Sequence, residues 1–232
     1  MRFTSRSYQK ELLDGDHIPF ADIRQNMQEL NTINTLLGGH AITLKGFIAL
    51  LGGRKKITVC EIGCGGGDNL TAIVKWCNKQ GVDITCIGID MKAECIAFAE
   101  EQPFLKRTTT WIVSDYADVI FDSKPDIIFS SLFCHHFTNE QLIRQLQWMQ
   151  LNSQIGFFIN DLHRHWLAYQ AISILTKLFS SSYLVKNDAP LSVARGFLKT
   201  EWETLCEQAH ISHAVIKWKW AFRHLITSKH AA

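Results

Sequence analysis

The sequence predicts an α/β fold, a doubly wound and mostly parallel sheet with helices on both faces. Three observations carry that expectation. From Ile57 onward short apolar runs alternate with helical patterns, the signature of a sheet covered on both sides. The stretch "VCEIGCGGGDNL", Val59 to Leu70, places four glycines between a strand pattern and a helix pattern. The chain has 232 residues, 47% of them hydrophobic and 20% charged, enough for one well-filled domain and cramped for two.

Ahead of the sheet, Asp22 to Leu37 reads as a helix closed by Gly38-Gly39, and Thr43 to Leu51 as a second closed by Gly52-Gly53. They form an N-terminal cap over residues 1–56, expected at the ligand edge of the sheet. "ITVCEIG" is the first strand, and "NLTAIVKWCNKQG" a helix stopped at Gly81. "DITCIGID" and "KAECIAFAEE" repeat the pair, the helix ending before Pro103; "TTTWIVSD" is a third strand, followed by a short irregular piece from Tyr116 to Phe121. "PDIIFSSLF" with "NEQLIRQLQWMQL" is the fourth pair, and "IGFFIND" the fifth strand. "HWLAYQAISILTKLF" is a long apolar helix. "SSSYLVKNDAPLSVARGF" then breaks the pattern, and Asn187 to Gly196 is expected to be a flexible lid. A helix resumes over "TEWETLCEQAH", where Thr200 and Glu203 have capping-box spacing. "HAVIKWKWAFRHLITSK" reads as two antiparallel strands joined near Ala221. Residues 57–232 are thus one domain, with an insertion at about 163–200.

Several function classes are disfavoured by composition. No uncharged apolar stretch reaches the roughly 18–20 residues of a membrane span, so stable membrane insertion is not expected, and "MRFTSRSYQKELLDGDH" lacks the apolar core of a secretory signal. The seven cysteines contain no CxxC pair, which suits a reducing cytoplasm. A net charge of +2 argues against a nucleic-acid partner; the basic run Arg54-Lys55-Lys56 reads as a solvated approach to the first strand.

The glycine corner joins the first strand to the first helix of the sheet, where such folds hold a cofactor. The dinucleotide pattern G-x-G-x-x-G fails in both registers, at Asp68 and at Leu70. Glu61 would also set a carboxylate beside a pyrophosphate. A ligand carrying positive charge suits the corner better.

Glu61-Ile62-Gly63-Cys64-Gly65-Gly66-Gly67 resembles the first motif of the class I S-adenosylmethionine-dependent methyltransferases. Asp90 closing the second strand, Ser114-Asp115 closing the third, and "SSLFCHHF" after the fourth strengthen the resemblance. It is also similar, more loosely, to bacterial small-molecule methyltransferases of quinone-type and secondary metabolism. The resemblance implies a Rossmann-like seven-stranded sheet in the order 3-2-1-4-5-7-6, the last strand antiparallel, and S-adenosylmethionine as cofactor. It implies cofactor contacts from Glu61, Gly63, Cys64, Gly65 and Gly67 at the corner, with Glu61 on the ammonium side and backbone N–H groups on the carboxylate. Asp90 falls at the ribose hydroxyls and Met91 at the adenine face. Ser114, Asp115 and Tyr116 follow near the adenine amine, with Ser131 and Leu132 at the end of the fourth strand. Cys64 is expected to be chemically inert.

Methyl transfer needs an in-line approach that positioning alone can supply, and a base helps where the acceptor is a hydroxyl or an acidic carbon. His136 oriented by Asp161 is the leading candidate pair, with His135 or His163 as alternatives and no base at all as a third. No metal site is expected. The fourth strand lacks the N/D-P-P-Y/F segment of amino-base methylation, and the insertion is apolar. The expected acceptor is therefore small and largely apolar: a phenol, quinone precursor, polyketide or lipid-like molecule, methylated on oxygen or carbon by a monomer or homodimer. A methyltransferase acting on protein or tRNA, and a nicotinamide-dependent oxidoreductase, stand as alternatives.

Overall fold

The structure, a computed structural model, describes residues 3–15 and 17–230. Its strands are β1 (Lys56–Ile62), β2 (Asp83–Asp90), β3 (Thr109–Val113), β4 (Ile127–Ser131), β5 (Gly156–Leu162), β6 (Val215–Lys219) and β7 (Arg223–Lys229). They form one sheet in the order β3-β2-β1-β4-β5-β7-β6. β1 to β5 pair in parallel, while β7 runs antiparallel to both β5 and β6. The β6–β7 turn falls where expected, with Ala221 and Phe222 at φ 25° and 53°.

Strand periodicity sorts the core into two layers. Val59, Phe129 and Phe158 point to the face covered by α2 (Gly39–Leu51) and α3 (Asp68–Gln80). Cys60, Ile128 and Phe157 point to the other, against α5 (Asn139–Asn152) and α8 (Lys199–Gln208). β1 and β4 are buried almost throughout, which is why they read as unbroken apolar runs. Gly46 in α2 allows close contact with β5: a Cβ there would stand 2.5 Å from the Phe158 ring. α1 (Phe20–Leu36) meets α2 at 71° across Gly38, which is left-handed at φ 73°. Among the described residues no single helix is long and apolar enough to cross a membrane. α4 (Ala93–Glu100) lies between β2 and β3, and all seven cysteines are free and buried.

Two local expectations fail. The segment expected to be a flexible lid is mostly helix: α7 (Tyr183–Arg195) carries Pro190 within it and buries Leu184, Val185, Leu191, Val193 and Ala194. Proline removes one helical hydrogen bond, but burial against α6 (Trp166–Phe179) and the N-terminal segment offsets that loss. Asp188, which made the stretch look polar, accepts the Leu12 and Leu13 N–H groups at 2.8 and 2.9 Å. The box expected from Thr200 and Glu203 is also displaced. α8 begins one residue earlier, and Glu201 accepts the Leu198 N–H at 2.7 Å while pairing with buried Arg164 at 2.8 Å.

β7 also buries an imidazole. His224 is 2% exposed, its Nδ1 has no hydrogen-bond partner among the described residues, and burial, reinforced by His163, pushes its pKa down to about 4. The unfolded chain takes up that proton near pH 6.5. This contribution to stability is complete above pH 6.5 and is lost as pH falls toward 4. Between pH 7 and pH 5 it should decline by about 1–2 kcal/mol. Urea unfolding of the parent and of His224→Asn at both pH values checks this: the variant should show a shallower pH dependence, and parallel slopes would refute it.

Candidate active site

The carboxyl ends of β1, β2 and β4 open into a cavity of about 1020 Å³, roofed by α1, α6 and α7. At its floor the glycine corner combines two geometric demands. Gly63, Gly65 and Gly67 have φ of 64°, 49° and 73°, in the left-handed region. A Cβ on Gly63 would lie 2.2 Å from the Phe133 ring and one on Gly67 2.9 Å from Trp111, whereas one on Gly65 would meet only Met27 Sδ at 3.5 Å. The corner is thus both tightly packed beneath and bare toward the cavity. Gly63, Cys64, Gly65 and Gly66 line the cavity; Gly67 stands behind as the residue preceding α3. Burial and the neighbouring carboxylates of Asp90 and Glu61 push the Cys64 thiol well up, so it stays protonated.

Glu61 does not line the cavity. It is 1% exposed, and its Oε1 accepts from Asn69 Nδ2 at 3.0 Å. Its Oε2 has no hydrogen-bond partner among the described residues. Burial, with Asp68 and Asp90 nearby, pushes its pKa well up. Asn69, which does line the cavity, was not singled out in the sequence; its Oδ1 lies 3.2 Å from both Thr43 Oγ1 and His40 Nδ1.

Asp90 closes β2 and lines the cavity. Its Oδ2 accepts the Gly65 N–H and its Oδ1 the Lys92 N–H, both at 2.9 Å. Burial raises its pKa against those bonds. Met91 follows on the cavity wall, 71% exposed. Ser114 and Asp115 also line the cavity, and Asp115 caps the turn Tyr116–Asp118 through the Ala117 N–H at 3.0 Å. Tyr116 is a wall residue set edge-on to Phe133, Phe137 and Trp148. Ser131 and Leu132 complete this side; Leu132 holds φ 54°, its N–H bonded to the Asn160 carbonyl at 2.9 Å. Strain of that kind persists only where its surroundings enforce it.

The expected His136–Asp161 pair is not formed. His135 is the partner: its Nδ1 lies 2.8 Å from Asp161 Oδ1, and its backbone N–H donates to Oδ2 at 3.2 Å. The reason is local. Cys134–His136 is a turn of 3₁₀ helix, and within it the His135 ring is the one buried against β5, while the His136 ring lies beside it, centroids 4.4 Å apart, and reaches Asp14. Burial opposes ionisation of Asp161, but the His135 imidazole and the hydrogen bonds outweigh it and hold its pKa below the usual value. Asp161 itself lies behind the cavity wall, whereas His135 and His136 both line the cavity. His163 does not: its Nδ1 accepts the Trp218 indole N–H at 3.1 Å, and its ring packs on His224.

The N-terminal segment supplies groups that sequence reasoning passed over. Asp14 Oδ1 lies 2.9 Å from His136 Nδ1, and Arg195 ties Asp14 Oδ2 at 3.0 Å. At Asp14 burial opposes ionisation, but His136 and Arg195 outweigh it and depress the pKa strongly. Glu11, 6% exposed, sets Oε1 3.6 Å from His135 Nε2 and Oε2 3.9 Å from His136 Nε2. Burial pushes its pKa up in spite of the imidazoles. Arg6 locks the segment down through the His135, Phe137 and Arg195 carbonyls. The spacing of Glu11 and Asp14 was legible in the sequence, but no local signal says that they return to the end of β4.

A family model described as a methyltransferase domain matches residues 54–215. No curated protein is significantly similar in sequence. Among solved structures, the plantazolicin methyltransferase BpumL, in complex with a monoazolic desmethylPZN analog and SAH, is similar with a TM-score of 0.65 and 17% identity over 94% of this chain and 92% of that one. Magnesium protoporphyrin IX methyltransferase of Synechocystis PCC 6803 with bound SAH is similar with a TM-score of 0.54 and 12% identity over 94% and 90%. Human N-acetylserotonin methyltransferase in complex with SAM has a TM-score of 0.65 and 13% identity over 92% of this chain; the chain spans 57% of its length, and 59% of a Nostoc punctiforme protein of the same fold. The glycine corner, the acidic end of β2, the strand order and the match over residues 54–215 converge, and the chain belongs to the methyltransferase domain family, the class I S-adenosylmethionine-dependent methyltransferases.

Proposed function

We propose that this methyltransferase acts on a small, largely apolar acceptor, at a hydroxyl or an acidic carbon, in a reducing cytoplasm. The carrying observation is that the cavity lined by the cofactor corner is also lined by the apolar Leu30, Ile33, Ile172 and Phe222 and by His135 and His136. The corner fits S-adenosylmethionine. The buried, unpartnered Glu61 Oε2 behind Asn69 favours positive charge nearby. Each Asp90 oxygen takes one backbone N–H and keeps a further lone pair for a ribose hydroxyl. The start of α3 offers N–H groups to a carboxylate.

The bound cofactor supplies an electrophilic methyl group on a sulfonium. The chain supplies position and proton handling. Asp161 on Nδ1 of His135, and Asp14 on Nδ1 of His136, leave both Nε2 atoms toward Glu11 on the cavity wall. These two imidazoles are where the acceptor's acidic hydrogen is lost. The cavity's apolar walls favour a ring or chain over a polymer, and the free, buried cysteines suit reducing surroundings. BpumL and the Synechocystis enzyme are named for small peptidic and porphyrin acceptors, which is compatible with this reading.

Incubation with methyl-labelled S-adenosylmethionine and a cell extract tests it. Label should appear in the organic-extractable, low-molecular-mass fraction. Label confined to precipitated protein or tRNA would replace this reading with the macromolecular one.

A further inference from the structure

We propose that Glu11, His135 and His136 form a binding site for a divalent transition-metal ion of the zinc class, open toward the cavity. The proposal deepens the reading above: it rests on the acceptor lying beside these imidazoles, and it names how the acceptor's proton is lost there.

One ligand atom from each of the three side chains lies within 4.8 Å of the other two. Glu11 Oε1 stands 3.6 Å from His135 Nε2 and Oε2 stands 3.9 Å from His136 Nε2. These separations are too long for a hydrogen bond and short enough for a shared cation. An ion with bonds of about 2.0–2.1 Å sets tetrahedral ligands roughly 3.3 Å apart, so both Glu11–His pairs come within reach by closing less than about 1 Å.

The orientation of the imidazoles is the second argument. Each has a carboxylate on its Nδ1, Asp161 at 2.8 Å for His135 and Asp14 at 2.9 Å for His136. A proton held on Nδ1 by that carboxylate leaves Nε2 as a lone pair, the outer arrangement that metal-binding histidines use. In that tautomer two Nε2 lone pairs and the buried Glu11 carboxyl group converge on one point. The nearest cation, Arg195, makes its short bonds to Asp14 and the His135 carbonyl, both at 3.0 Å, and only a longer ion pair, 3.8 Å, to Glu11 Oε1. Ser192 Oγ lies 2.8 Å from Glu11 Oε1 and 2.9 Å from the Asp188 carbonyl oxygen, which orients the carboxylate.

Two imidazoles and one carboxylate form a ligand set that leaves coordination positions open. All three residues line the cavity, so those positions face the acceptor. A hydroxyl taken there as a further ligand becomes more acidic. Its O–H bond breaks, the electron pair stays on the oxygen beside the ion, and the proton passes to water in the cavity mouth. No oxidation or reduction is involved.

The test is titration of the dialysed full-length protein with zinc chloride by calorimetry, and with cobalt(II) chloride by visible absorption. One equivalent should bind, and cobalt should show the intensified visible bands of a four- or five-coordinate nitrogen and oxygen site. Glu11→Gln and His136→Ala should each weaken binding by about tenfold or more while the circular dichroism spectrum is kept. Absence of saturable binding would overturn the proposal, as would a cobalt spectrum of the hydrated ion, or undiminished affinity in both variants. S-adenosylmethionine affinity is measured on the same samples. If the cofactor binds and the metals do not, the metal site alone fails; if the cofactor does not bind either, the methyltransferase reading fails with it.

Discussion

Alanine in place of His135 is expected to lower kcat by about 10²–10⁴-fold, the range for a positioned group that handles a proton, with cofactor affinity nearly unchanged. His135 is the buried imidazole whose Nδ1 is bonded to Asp161 and whose ring lines the cavity. Its removal takes away the acceptor's activation without touching Asp90 or the glycine corner. Asp161→Asn should give a smaller loss in the same direction, because the amide still fills the site but holds the ring less well. The double variant should be no worse than His135→Ala, since the two act as one unit. Single-turnover and steady-state rates at saturating cofactor read this directly. If His135→Ala instead loses cofactor binding and keeps its turnover, the ring is a wall of the cofactor pocket and the acceptor is activated elsewhere.

Asp90→Ala is expected to weaken S-adenosylmethionine binding by about 1.5–3 kcal/mol, the cost of hydrogen bonds to a charged acceptor. The effect has two parts. The proposed bonds to the ribose would be lost, and the Gly65 and Lys92 N–H groups would lose the acceptor that fixes the corner and the start of α4. Calorimetric titration of the parent, Asp90→Ala and Asp90→Asn separates them, since the amide carbonyl can still take one backbone N–H. Equal affinity in all three would remove Asp90 from the ribose site.

Much of this protein was decided locally and is therefore legible in the sequence. β1, β4 and β5 are short and apolar because both faces are covered, and α3 stops at Gly81 and α4 before Pro103, so runs and stops mark these elements out. The glycine corner is legible for the same reason: left-handed backbone and close-packed aromatic rings demand residues without a Cβ, wherever the rest of the chain goes. Asp90, Met91, Ser114 and Asp115 follow from their place at strand ends, which the parallel sheet aligns along one edge. α7 was not legible. Its apolar periodicity is interrupted by Asp188 and Pro190, and Leu12, Leu13 and α6, all outside that stretch, give the helix the partners that stabilise it.

The centre of the site was decided by tertiary structure. Which of two adjacent histidines meets Asp161 depends on how a single 3₁₀ turn is seated against β5. Glu11 and Asp14 lie more than 120 positions before the histidines they meet, and nothing in their own neighbourhood sets that encounter. Arg6 and Arg195 hold the segment there through backbone carbonyls, which every residue possesses and no sequence pattern marks. Apolar runs and the glycine corner determined the α/β class and the ligand edge, since those depend on the local needs of backbone and burial, while the strand order and the cofactor came from the family resemblance that the corner carries. The carboxylate–imidazole cluster came only from packing, because its charges are stable in the interior solely by virtue of partners brought from distant parts of the chain.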